Sequence, residues 1–77
     1  MNLLSAQCRA ARALVGMTQD QLAKASEVSK RTIAHFEAGE RTPTQANRTA
    51  LMRALEAAGV EFIPGGARLR EREAVAA

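Results

Sequence analysis

Seventy-seven residues, 47% hydrophobic and 25% charged, make one small globular domain and exclude a disordered chain. Eleven basic residues against eight acidic ones give a net charge of +3, and the excess is uneven: residues 1–53 hold eight basic and four acidic side chains, 54–77 three and four. A single cysteine and a single histidine exclude an internal disulfide and a zinc set, and no stretch has the apolar run of a signal peptide or of a membrane span, so a soluble cytoplasmic protein is expected.

Residues 5–15, SAQCRAARALV, read as a first helix with Ser5 as its N-cap and Gly16 as its stop. Leu4, Cys8, Ala11 and Val15 recur at helical spacing, with Leu14 beside them and Arg9 and Arg12 off the centre of the stripe. Cys8 is therefore expected to be a small buried thiol. A second helix, TQDQLAKA over 18–25, opens on Thr18 with Gln21 three places later, the pattern of a capping box. Asp20 suits the positive end of that helix.

The segment SEVS, 26–29, is polar apart from Val28 and leads into a third helix over 29–38. Ser29 caps it, Ile33 and Phe36 face inward, and Gly39 closes it where a left-handed residue is wanted. A loop, ERTPT over 40–44, is stiffened by Pro43. The fourth helix spans 45–58, with Leu51, Leu55 and Ala58 on its apolar stripe, and Gly59 ends it. VEFI (60–63) and ARLR (67–70) alternate as strands about the turn PGG (64–66). Such a hairpin is marginal alone, so it must pack on the helices or on a second subunit. A flexible tail is expected over 71–77.

Helices two and three are short and joined by a turn too brief for an antiparallel pair, which is the spacing of a helix-turn-helix. Ala23, Val28 and Ile33 lie where the two helices would cross. The run TQDQLAKASEVSKRTIAHFEAGERTP resembles the Cro/repressor-type helix-turn-helix of the xenobiotic-response-element family. The resemblance rests on Gln19, Leu22, Ala23, Val28, Ser29, Thr32, Ile33, Glu37, Gly39 and Pro43 in combination, and it extends over about residues 5–58. It implies an all-α, lambda-repressor-like four-helix domain over 1–59, here followed by the short β-hairpin over 60–70 in place of the family's fifth helix. Bacteria or their mobile elements are the source it points to.

Carried over residue by residue, the resemblance makes helix 29–38 a recognition helix for the major groove of double-stranded DNA. Lys30, Arg31 and Thr32 would meet base edges, with His35 one turn further on. Arg and Lys donate to guanine O6 and N7, and a Thr methyl meets the thymine methyl. Thr18 and Gln19 at the start of helix two, and Arg41 and Thr42 after helix three, would hold phosphates. The same resemblance pairs Arg12 with Glu37 in a partly buried salt bridge that locks helix one to helix three.

The expected function is sequence-specific transcriptional regulation, as a repressor and as a homodimer. The competing reading is a protein-interaction module, such as the antitoxin half of a toxin–antitoxin pair. An enzyme is not expected. The chain has no Gly-rich phosphate loop, carboxylate cluster or Ser/His/Asp set, and no cofactor is implied.

Overall fold

The computed structural model describes residues 2–70. Its elements are helices α1 (Ser5–Val15), α2 (Gln19–Ser26), α3 (Lys30–Glu37) and α4 (Gln45–Ala57), then strands β1 (Val60–Ile63) and β2 (Gly66–Leu69). This is the four-helix, hairpin-ended architecture expected. The tail at 71–77 lies outside the described residues.

Caps set the helix boundaries. Thr18 Oγ1 accepts from Gln21 N at 3.0 Å while Gln21 Oε1 accepts from Thr18 N at 2.9 Å, a complete capping box. Ser29 Oγ accepts from Thr32 N at 3.1 Å, and Thr44 Oγ1 accepts from Asn47 N at 3.1 Å. Ser29 and Ala38 are thus the caps of α3 rather than its first and last turns. Gly39, at φ 77°, reverses the chain after α3, and its left-handed backbone lets Glu40 N reach His35 O at 2.9 Å.

The start of α1 differs from the expectation of a Ser5 cap. Leu4 is the capping residue, extended at φ −93°, and Ser5 is already helical. A leucine side chain cannot accept from the first-turn N–H groups, so only the reverse half of a capping box forms, with Leu4 N donating to Gln7 Oε1 at 2.9 Å. The buried stripe is displaced accordingly. Leu3, Gln7, Cys8 and Ala11 are buried, whereas Leu4 is half-exposed. An extended residue at the cap turns its side chain off the helical face, and Leu3 folds onto the core instead.

Leu22, Ile33, Leu51 and Leu55 are fully buried, joined by Cys8, Ala11, Val28, Phe36 and Val60 in one core. Each buried leucine or isoleucine stabilises the fold by roughly 1.5–3 kcal/mol. Ala58, placed on the apolar stripe from the sequence, is instead the exposed C-cap of α4.

The hairpin is antiparallel, with Val60 opposite Leu69, Glu61 opposite Arg68, Phe62 opposite Ala67 and Ile63 opposite Gly66. Gly66 therefore begins β2, and the turn is the dipeptide Pro64–Gly65. Proline fixes a negative φ at the first turn position, and Gly65 supplies the positive φ of 72° that a type II turn needs at the second. The hairpin packs on α1 and α4 through Val60 and through Gln7, whose Nε2 donates to Ile63 O at 2.9 Å and to Gly66 O at 3.0 Å.

Glu27 is the one described non-glycine residue with positive φ, at 63°. It ends α2, and its N–H donates to Ala23 O at 2.8 Å. A side chain in this left-handed conformation crowds its own backbone, which glycine avoids. Glu27→Gly is expected to raise the unfolding free energy by about 0.5–1 kcal/mol, after the greater freedom of glycine in the unfolded chain is deducted. Urea denaturation at neutral pH checks this, and a loss of stability would contradict it.

Candidate functional site

The turn between α2 and α3, residues 27–29, is fixed by Val28 and by the last residue of α2, Ser26. Val28 enters the core, which anchors the turn. Ser26 Oγ donates to Leu22 O at 2.7 Å and accepts from Val28 N at 3.2 Å, satisfying the backbone where α2 stops. Ile33 and Phe36 then bury one face of α3, so its opposite face must look outward.

That outward face begins with Lys30 and Arg31, both exposed. Thr32 is half-buried and serves the helix start, since the Ser29 hydroxyl donates to Thr32 Oγ1 at 2.9 Å. His35, in the last turn, is also half-buried. The start of α2 lies beside this turn of α3: Lys30 Nζ is 3.2 Å from Asp20 Oδ1. Gln19, next in sequence to Asp20, instead bonds Glu37 at the end of α3, and Thr18 bonds Gln21 at the start of α2. Arg41 and Thr42 are exposed on the loop that follows Gly39 and, among the described residues, form no hydrogen bond or ion pair with the other candidates.

Beneath this surface lies a carboxylate that gathers four side-chain donors. Glu37, only 4% exposed, receives Arg12 Nη2 at 2.6 Å and Gln19 Nε2 at 3.0 Å on Oε1, and Arg12 Nε at 2.7 Å and Cys8 Sγ at 3.1 Å on Oε2. The Arg12 fork is bidentate, the strongest geometry available to an arginine and a carboxylate. Its remaining Nη1 donates to Met17 O at 3.0 Å, and Arg9 Nη1 donates to Glu37 O. One acidic side chain thereby ties α1 and the start of α2 to the end of α3.

The titration of the cluster follows. Burial alone would raise the Glu37 pKa, but hydrogen bonds from Arg12, Gln19 and Cys8 outweigh it and hold the carboxyl below its ordinary value. Burial, and then donation to Glu37, push the Cys8 thiol far above the ordinary thiol range. Cys8 is a neutral donor here, not a nucleophile.

Sequence reasoning reached Cys8 as a buried group and missed its partner. The bond from Gln19 Nε2 to Glu37 has no local signal in the sequence either, and it occupies one of the two amide protons. The Asp20–Lys30 pair went unnoticed because the two residues lie on different helices, and no periodicity links them. Their pairing depends on the crossing angle of α2 and α3.

The profile of the helix-turn-helix family matches residues 9–61, from within α1 to the start of β1. No curated protein matches the chain significantly.

Proposed function

Because the chain belongs to the Cro/repressor-type helix-turn-helix family of DNA-binding regulators, we propose that it is a sequence-specific transcriptional repressor that inserts α3 into the major groove as a homodimer. The observation that carries this reading is the division of α3 into two faces. Ile33 and Phe36 fix the helix in the core, and Lys30 and Arg31 stand free of it on the first turn. A helix that enters the groove by its N-terminal turn presents those residues first.

Arg31 is assigned to bidentate recognition of guanine, Lys30 and Thr32 to neighbouring base edges, and His35 to the groove one turn further in. Gln19 gives its second amide proton to a phosphate, and Thr18, Arg41 and Thr42 supply further backbone contacts. Glu37 and Arg12 hold the frame and touch no DNA.

Selection of bound duplexes from a random pool, followed by shift assays, tests the proposal. A palindromic consensus is expected, together with affinity that falls steeply with salt as counterions are released. Arg31→Ala should lose about 1–3 kcal/mol of discrimination at one base pair of each half-site. Gln19→Ala should weaken all duplexes alike. Equal losses on consensus and random DNA for both variants would remove Arg31 from base readout, and no enrichment from the pool would overturn the proposal.

The antitoxin reading draws on Leu4, Leu14 and Leu69, which are more than a third exposed and lie outside α2 and α3. Stoichiometric co-purification of a second protein would favour it, and it is compatible with DNA binding.

A further inference from the structure

Asp20 is a carboxylate in an awkward place. It is 74% exposed in the first turn of α2, next in sequence to Gln19, and 3.2 Å from Lys30, itself 57% exposed at the start of α3. A negative charge beside a phosphate-binding surface opposes every duplex. An ion pair this exposed contributes little to folding, so stability does not account for its position. Asp20 also favours the N-terminus of α2, an effect that any acidic residue in that turn, on any face, would supply.

We propose that Asp20 is a specificity-determining residue, which holds Lys30 on the protein and penalises binding to sequences where Lys30 finds no base partner. This rests on the DNA-binding reading above. The lysine ammonium has three donors. At a matched site one donor keeps Asp20 covered while the others meet guanine O6 and N7, so the carboxylate stays neutralised as the complex forms. On unmatched DNA the adjacent guanine O6 and N7 acceptors are missing from that position, other base edges offer a poorer match, and phosphate oxygens compete for the ammonium. Lys30 is then drawn from Asp20 toward the backbone, and the carboxylate faces the polyanion less well covered. The same charge therefore costs more on the wrong sequence than on the right one, which is discrimination by an element that repels.

Asp20→Asn keeps the size and the helix-start position and removes the charge. The selected consensus duplex and a random duplex of equal length are titrated with the wild type, Asp20→Asn and Glu56→Gln across a range of salt concentrations. Glu56→Gln changes the net charge equally, at the exposed far end of α4. Asp20→Asn is expected to tighten random-duplex binding about three- to tenfold, and consensus binding less than twofold. Its random-duplex affinity should also fall more steeply with salt, by up to about 0.9 in the logarithmic slope. In a Lys30→Ala background the same substitution should tighten both duplexes alike.

An unchanged ratio of consensus to random affinity in Asp20→Asn, or an equal effect from Glu56→Gln, would overturn the proposal. A wild type that binds neither duplex would instead overturn the DNA-binding reading on which it rests. Circular dichroism confirms that each variant is folded, so a shift in the ratio is read as binding.

Discussion

Glu37→Ala is expected to lower the unfolding free energy by about 3–5 kcal/mol, a large share of the roughly 5–15 kcal/mol that holds a small domain together. The loss is greater than that of one ion pair. With the carboxylate gone, Arg12 Nε and Nη2, Gln19 Nε2 and the fully buried Cys8 Sγ all lose their acceptor. Arg12 is 20% exposed, so its guanidinium recovers part of its hydration and the expected loss stays near the lower end. Thermal and urea unfolding check this, with an unchanged denaturant slope expected. An unaltered melting temperature would contradict the assignment. Replacing both Arg12 and Glu37 with leucine should cost less than Glu37→Ala alone, because no charge is then left unpaired.

The same carboxylate makes the wild type sensitive to acid. Its folded pKa lies below the unfolded glutamate value of about 4.3, so the unfolded chain takes up the proton first. The stability it contributes is fully present above about pH 4.3 and is lost as pH falls through the lower folded pKa. Glu37→Ala should lack this component of the acid transition.

How much of this was legible in the sequence depended on the range of the interaction that decides each feature. Thr18 with Gln21, and Ser29 with Thr32, act over three residues, and short-range pattern was enough to place α2 and α3. Ile33, Phe36, Leu51 and Leu55 follow helical periodicity, which located the core side of α3 and α4. The joining of Arg12 to Glu37 spans 25 positions, and only family resemblance suggested it. The roles of Cys8, Gln19 and Asp20 as members of interhelical contacts had no local signal. At α1 the apolar stripe itself misled, since Leu3 and Leu4 are equivalent in composition and the extended cap decides which of them is buried.

Gln7 is the clearest case of a residue that composition hides, and Gln7→Ala carries the second large effect. A glutamine between Ala6 and Cys8 reads as a solvated helix position, yet it is among the most buried side chains of the described chain. Its Oε1 closes the start of α1 on Leu4 N, and both protons of Nε2 go to the hairpin, at Ile63 O and Gly66 O. These two carbonyls flank the Pro64–Gly65 turn, so one amide clamps both ends of that turn to α1. Truncation to alanine removes three hydrogen bonds and leaves two carbonyls and one N–H without their partner. The expected cost is about 2–4 kcal/mol, since water recovers part of it at the helix start. The loss should be local first. Amide exchange across the β1–β2 pairs should accelerate well before exchange in α2 and α3, to which the Gln7 side chain makes no hydrogen bond. Uniform acceleration over the whole chain would show instead that hairpin and helices unfold as one unit. Gln7→Glu is the sharper variant, because an isosteric carboxylate would face two carbonyl oxygens with nothing to donate. At neutral pH it should destabilise more than alanine does, and the excess should shrink as pH falls and the new side chain regains a proton.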